Sequence, residues 1–361
     1  MSDHAGERVR GEEVVAMAQD LGFVLAGVCE AAPIRADRAE AFKQWLATGQ
    51  HGEMGYMAQH TPLRIDARLL LEGAKSIVMV ADQYASRNDP PDVQTSGIGR
   101  VGRYARADDY HDVMKKRLHA MCDALAAQHP DIASKAFVDT APVLEREDAV
   151  LAGLGWVGKH TLLIHPRKGS YLFLGGIITT LDITPPKRQK HFEDHCGTCT
   201  RCIDACPTEA ITPYKVDATK CISYLTIEHR SLIDPEYHKA IGDWVYGCDI
   251  CQEVCPHNSP RSGKFGVTKA NAAYSPRETL DASQGNGLDL LAMLDWTESD
   301  RREITRRSAM KRAKLDMLRR NAIICAANAR TPEIEARLHE IANDETEPTL
   351  VRKTAMQALQ A

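Results

Sequence analysis

The chain has 361 residues, a formal net charge of −4 at pH 7 and 43% apolar residues. That length supports two or three domains with cores of their own, and the composition excludes a disordered chain and a bulk polyanion binder. No apolar run approaches the roughly 18 residues of a membrane span, and the opening MSDHAGERVRGEE is polar, so a cytoplasmic protein with no membrane partner is expected.

Residues 1–185 read as mixed α/β. The apolar period predicts helices over Val9–Leu21, Asp37–Ala47 and Leu144–Leu154, with a short strand over Phe23–Val28. Ser76–Ala81 is a nearly all-apolar strand, as in a sheet covered on both faces. Within 107–128, Tyr110, Met114, Leu118, Met121, Cys122 and Leu125 fall on one helical face. Lys135–Asp139 is a strand ending at a turn before Pro142, and TLLIH and SYLFLGGII are two more strands. Pro185 and Pro186 close this part; a cysteine-rich module spans 186–260; a segment rich in Ser, Gly, Asn and Pro (261–287) forms a linker. From Leu288 to residue 361 the pattern is helical, and its last 30 residues look like one hairpin of a HEAT-type repeat with Pro348 opening the second helix. Nine Lys/Arg lie in 301–320 (Arg301, Arg302, Arg306, Arg307, Lys311, Arg312, Lys314, Arg319, Arg320), a stripe that is either a nucleic-acid face or a solvated helix face.

Eight of the 11 cysteines lie between 196 and 255, while Cys29, Cys122 and Cys325 stand alone as small apolar residues. The run Cys196-x2-Cys199-x2-Cys202-x3-Cys206-Pro207 has the bacterial ferredoxin spacing, in which the fourth cysteine ligates the other cluster. Cys248-x2-Cys251-x3-Cys255-Pro256 lacks a leading cysteine, which Cys221 can supply. The arrangement is then crossed: Cys196, Cys199, Cys202 and Cys255 hold one [4Fe–4S] cluster, and Cys206, Cys221, Cys248 and Cys251 hold the other. Zinc is disfavoured, because its sites use two CxxC pairs without the third step or the CP endings.

Gly153-Leu-Gly155-Trp-Val-Gly158-Lys159-His160 fits GxGxxG and nearly fits GxxxxGK[ST]. It is rejected as a nucleotide site. His160 replaces the metal-binding hydroxyl, and a helix precedes the glycines where a strand is needed. The glycines are expected to stop a helix and to lie close to something flat.

Taken together, the segments Arg64–Val78, GRYARADDYHDVMKKRL (102–118), FVDTAPVLER (137–146), GLGWVGKHTLLI (153–164), GSYLFLGGIITT (169–180), HCGTCTRCIDACPTEAI (195–211), KCISYLTIE (220–228) and YGCDICQEVCPHN (246–258) resemble the epoxyqueuosine reductase family of tRNA-modifying enzymes. The resemblance implies an α/β domain over 1–185 that cups a base-off cobalamin, the two-cluster ferredoxin-like module behind it, and a helical tail that helps hold tRNA. It implies an oxidoreductase that removes the epoxide oxygen of epoxyqueuosine at the wobble position as water, leaving a cyclopentene, with two electrons and two protons consumed. An external electron donor and a monomeric state are expected with it. Asp139 is the implied proton donor; its isolated Asp-Thr alone would read as a helix cap. Such a donor needs a pKa raised by burial. Carried over as cobalamin contacts, several through backbone, are Arg64, Gly102, Asp139, His160, Leu163, Leu174, Ser223 and Asp249; singly, Leu163 and Leu174 also read as core and Ser223 as a turn. Glu228 and His229 fall in a region the family uses near tRNA. Two other readings compete: a corrinoid iron–sulfur reductase of a small molecule, of the reductive dehalogenase kind, and a non-enzymatic electron carrier, which leaves the α/β part unexplained.

Overall fold

In a computed structural model of the chain, residues 8–86, 95–258, 270–280 and 287–360 are described. A four-stranded antiparallel sheet organises the first part, in the order Leu25–Glu30, Ser76–Gln83, Leu172–Thr179, Ser134–Phe137. Every residue of Ser76–Gln83 is buried. Its side chains alternate between two cores, which explains the unbroken apolar run. Val78 and Val80 pack under the helices Gly11–Asp20 and Tyr110–Gln128, with Val14, Ala18, Met114, Leu118, Met121 and Leu125. Ile77, Met79 and Ala81 pack on the opposite face with Ala149 and Ala152 beside the short helix Glu145–Leu151.

The second part crosses the chain order. Ile98–Val101 pairs in parallel with Trp244–Tyr246 and antiparallel with Leu288–Asp289. The start of the tail is therefore a strand, not helix as the sequence suggests. Two residues are too short for period reasoning, and their pairing depends on a partner almost two hundred residues away. One apolar core then joins Val101, Trp244, Tyr246 and the helix Leu315–Ala329. That helix is buried on nearly all sides from Met317 to Ala326, and the hairpin of Pro332–Asn343 and Thr349–Gln360 packs against it.

Of the segment 261–287, residues 261–269 and 281–286 lie outside the described residues. Within 270–280, Tyr274 is buried and donates its hydroxyl hydrogen bond to Asp82 at 2.6 Å, so this stretch is tied to the central sheet. Cys29 and Cys325 are buried, and Cys122 is half-buried. Among the described residues, no helix is long and apolar enough to cross a membrane.

Candidate active site and cluster pockets

Asp139 lies just beyond the strand Ser134–Phe137 with φ at +47°, in the left-handed region. Thr140 N–H turns back to the Val138 carbonyl across it. Holding a non-glycine residue there costs on the order of 1–3 kcal/mol, so the surroundings must impose it. The side chain is 55% exposed, with His111, Tyr110 and Arg312 among the groups around it.

Its partners form a chain of alternating charge. Lys311 Nζ contacts Asp109 Oδ2 at 2.7 Å, Asp109 Oδ1 contacts His111 Nδ1 at 2.7 Å, and His111 Nε2 reaches Asp139 Oδ2 at 3.3 Å. Asp109 also caps the helix Tyr110–Gln128 by accepting the His111 N–H. Burial opposes charge on His111, but the hydrogen bonds to Asp109 and Asp139 win and raise its pKa to about 9. Burial pushes Asp139 up, while hydrogen bonds from His111 and Tyr110 and the charge of Arg312 pull harder, so its pKa is lowered on balance. Before substrate enters, then, Asp139 is a carboxylate. The acid with the raised value is Glu145: burial first, then the charge of Asp139, bring it to about 8. Glu145 Oε1 accepts the Asp139 N–H at 2.6 Å. Tyr56, Arg64, Tyr104 and Tyr110 also face Asp139 electrostatically. Sequence reasoning missed His111 and Glu145 as site residues, although both lie inside the quoted motifs, at DDYH and VLER.

The eight cysteines gather in two groups. Cys202 lies by Cys196 and Cys199, and Cys255 by Cys196 and Cys202. Cys248 lies by Cys221 and Cys206, and Cys251 by Cys248 and Cys221. Cys202 and Cys251 sense each other across the two groups. Two one-turn helices, Arg201–Asp204 and Ile250–Glu253, carry Cys202 and Cys251. Burial raises the pKa of Cys196, Cys202, Cys221, Cys248, Cys251 and Cys255. Thiolates so crowded need a cationic body among them. Among the described residues, no three His, Cys, Asp or Glu side chains converge on a single-ion centre. Two sets of four thiols are the donor chemistry that [4Fe–4S] clusters take. Lys159, the residue that made the glycine run look like a phosphate loop, donates from Nζ to the carbonyls of Gly197 at 2.6 Å and Cys199 at 3.0 Å. Gly153 and Gly155 lie close to protein backbone. A Cβ on Gly155 (φ +159°) would meet the Ile164 carbonyl at 2.2 Å, and one on Gly153 (φ +74°) the Lys190 carbonyl at 2.4 Å. The run ends the helix Glu145–Leu151 and enters the hairpin Trp156–Val157/Leu163–Ile164.

The cobalamin contacts expected from sequence fall in three places. Arg64 and His160 lie on the Asp139 side: Arg64 faces Asp139, and His160 faces Arg146, the neighbour of Glu145. Both are buried, and Arg64 Nε and His160 Nε2 have no hydrogen-bond partner among the described residues. His160 Nδ1 accepts the Leu162 N–H, and burial together with Arg146 lowers its pKa to about 4. The neutral ring therefore presents an unsatisfied Nε2 donor. Unpaired buried donors of this kind fit a large polar cofactor. Gly102, Ser223 and Asp249 lie beside the second cysteine group. Gly102 packs against Gly247 and the Cys248 amide, and Ser223 adjoins Cys221. The Asp249 carboxylate is buried and accepts the Arg103 N–H at 2.6 Å and a Gln252 amide hydrogen at 3.2 Å. Leu163 is in the core below the sheet, and Leu174 packs against that core.

The basic stripe divides: Arg302, Arg306, Arg307, Lys311, Arg312 and Lys314 are exposed, while the last two members turn inward. Arg319 and Arg320 are buried, because their helix is covered on nearly all sides. Arg319 pairs with Glu347 at 2.7 Å, and Arg320 donates to backbone carbonyls. Arg301 and Arg302 pair with Glu298, Arg307 with Asp108, Lys311 with Asp109 and Arg312 with Glu228. Arg306 and Lys314 are exposed with no ion pair among the described residues. Glu228 thus faces Arg312, and His229 Nδ1 faces Glu53 at 3.3 Å.

Comparison with known proteins agrees with this geometry. Residues 195–258 match the model of the 4Fe-4S double cluster binding domain, and residues 64–140 match that of epoxyqueuosine reductase QueG, DUF1730. The epoxyqueuosine reductase of Leadbetterella byssophila is 38% identical over 86% of this chain and 96% of its own, and that of Synechocystis sp. is 41% identical over 79% and 94%. Among solved structures, an epoxyqueuosine reductase with a tRNA-Tyr epoxyqueuosine-modified stem loop has a TM-score of 0.82 at 28% identity, covering 96% of this chain and 88% of that one. The Bacillus subtilis enzyme, with its catalytic aspartate loop swung out of the active site, has a TM-score of 0.81 at 28% identity with the same coverage. With such identity over nearly the whole length of its relatives, this chain is an oxidoreductase that belongs to the epoxyqueuosine reductase family.

Proposed function

We propose that the chain reduces epoxyqueuosine to queuosine at the wobble position of tRNA anticodons, with Asp139 as proton donor. The observation that carries this reading is Asp139 itself: a half-exposed acid held in the left-handed backbone region by His111, Tyr110 and Glu145, with two four-thiol groups in the same fold. The small-molecule dehalogenase alternative has no comparable support.

The first group, Cys196, Cys199, Cys202 and Cys255, and the second, Cys206, Cys221, Cys248 and Cys251, would each hold one [4Fe–4S] cluster. Cobalamin, when bound, supplies a reducible metal centre at the epoxide. Arg64 and His160 would offer it their unpaired N–H groups, Gly102 and Ser223 their close backbone, and Leu163 and Leu174 an apolar floor. Residues 1–185 then form most of the substrate cleft, 186–260 the electron path and 288–361 the helical support for RNA.

Opening the epoxide leaves an alkoxide that must be protonated. Before substrate enters, His111, Tyr110 and Arg312 hold Asp139 as a carboxylate. Burial is already its largest upward influence, so covering it with cofactor and a nucleoside raises its pKa and favours the protonated donor. The His111 chain keeps the carboxyl aimed while that happens. Arg306 and Lys314, exposed and without an ion pair among the described residues, would meet phosphates; their contribution to affinity should fall with salt.

The test is anaerobic reconstitution with iron, sulfide and cobalamin, followed by reduction in the presence of a stem-loop RNA carrying epoxyqueuosine. Conversion to queuosine that depends on added cobalamin is expected. Inert RNA alongside reduction of a halogenated arene would transfer the assignment to the small-molecule class.

A further inference from the structure

We propose that Glu145 is a positioning residue that latches the Asp139 loop inward, its carboxyl oxygen holding the Asp139 N–H at 2.6 Å. The inference rests on the donor role given to Asp139 above.

Val138 and Val143 are buried and anchor the loop at its two ends, and the Leu144 carbonyl accepts the Glu147 N–H of the following helix. Between these anchors the loop is weakly tied: among the described residues its backbone hydrogen bonds are two tight local turns, Thr140 N–H to Val138 O and Val143 N–H to Ala141 O. The Thr140 hydroxyl also bonds back to Val138 O, at 3.2 Å. None of these reaches another element. Asp139 has a φ of +47°, a conformation that relaxes unless something outside the turn imposes it. Three groups do so. His111 and Tyr110 take the side chain, and Glu145 takes the main chain. Glu145 alone fixes the backbone amide, so it alone fixes the turn rather than the rotamer. It can do this because it is the first residue of the helix Glu145–Leu151, a rigid element packed under the sheet. In the Bacillus subtilis relative the catalytic loop has been captured swung out, so a latch on this loop has a second position to choose against.

The latch is also sensitive to protonation. Glu145 faces the Asp139 carboxylate, which disfavours its charge more than the Asp139 N–H favours it; Arg146, His111 and Arg64 favour its charge, and Tyr110 also faces it; Asp139 in turn faces His111, Tyr110 and Arg312. Burial and Asp139 together leave Glu145 with a pKa near 8 when the loop is in. The inward state therefore binds a proton more readily than a loop that has moved Asp139 away, and raising the pH through about 8 favours release. Glutamine reproduces the neutral acid: it keeps the accepting oxygen and cannot ionise.

The experiment is amide hydrogen exchange at Asp139 and Thr140 in the reconstituted holoprotein, with turnover measured alongside. Glu145→Ala should raise exchange there at least tenfold and lower kcat, with KM for RNA and both clusters retained. Glu145→Gln should keep the protection and restore most of kcat. After correction for intrinsic exchange, opening in the wild type should increase through about pH 8, and in Glu145→Gln it should not. Wild-type protection in Glu145→Ala overturns the latch. Should Glu145→Ala not fold, identical pH profiles for wild type and Glu145→Gln overturn it instead. Near-wild-type turnover by Asp139→Asn would remove the donor role and leave the exchange result standing, so the two failures are distinguishable.

Discussion

Replacing Arg320 by Met should unravel the seam between the tail and the rest of the molecule without touching RNA affinity directly. Arg320 is 0% exposed. Its guanidinium donates to the carbonyls of His229 at 2.7 Å, Ser231 at 2.6 Å and Leu225 at 2.7 Å, and to Asn321 Oδ1 at 2.9 Å. Asn321 continues the seam by donating to the carbonyls of Thr226 and Val245. Burial lowers the Arg320 pKa to about 10, which still leaves it charged at neutral pH. Methionine fills much of the same length but has no donor, so the buried Leu225 carbonyl and the partly buried His229 and Ser231 carbonyls lose their partner. At about 1–3 kcal/mol for an unsatisfied buried group, roughly 9 kcal/mol is the upper bound for all three. Relief of the desolvated charge and some water entry move the result well below it, to about 3–4 kcal/mol. That is a large part of a typical stability of about 5–15 kcal/mol. Urea denaturation of the reconstituted protein, followed by far-UV circular dichroism, measures it. A loss under about 1 kcal/mol would refute the reasoning. So would a fall of about one in the salt slope of RNA binding by the folded variant, which is the signature of a lost phosphate contact.

Other consequences are as direct. Cys221→Ala should drop iron and sulfide from about eight to about four per chain, with one cluster's electron paramagnetic resonance signal intact; retention of both signals would break the crossed ligand pairing. Lys159→Gln keeps donors for the Gly197 and Cys199 carbonyls but removes a positive charge beside the first thiol group, so that cluster should become harder to reduce, by about tenfold in its equilibrium or ~59 mV; an unmoved midpoint in a redox titration contradicts this. The His111 pKa is raised from 6.5 to about 9. Its stabilising contribution is thus complete below about pH 6.5 and lost as pH rises through 9. His111→Gln should flatten that limb of the stability–pH curve, and an unaltered limb would show that the Asp109–His111–Asp139 chain does not couple to folding.

Much of this was legible in the sequence because the signals were local. The CxxC steps and CP endings are fixed by how short loops wrap a cube, so the two cysteine groups could be read from spacing with Cys221 as the missing member. The strand at Ser76 and the helix at Tyr110 were legible from apolar period, and the final hairpin from Pro348 and its flanking periods. Long-range pairing was not legible: Leu288–Asp289 is a strand only because Ile98–Gly99 lies beside it. The basic run misled at Arg319 and Arg320, because charge counts do not report burial. Arg320 counts the same as Arg306 in the sequence, but a helix covered on nearly all sides takes it inward, where carbonyls satisfy it. At the cleft, a family motif marked Asp139, while the reason it is held in place, a carboxyl six residues on and an imidazole on another helix, became visible only with the fold.

The central claim is that Asp139 delivers a proton to the opening epoxide, and Asp139→Asn tests it most directly. The amide keeps the size of the side chain and removes the acid. In single-turnover reduction of an epoxyqueuosine stem loop by the reconstituted, cobalamin-loaded protein, the variant should retain both clusters, cofactor and RNA binding, and lose a factor of about 10²–10⁴ in rate. Turnover within a few-fold of wild type would contradict the account.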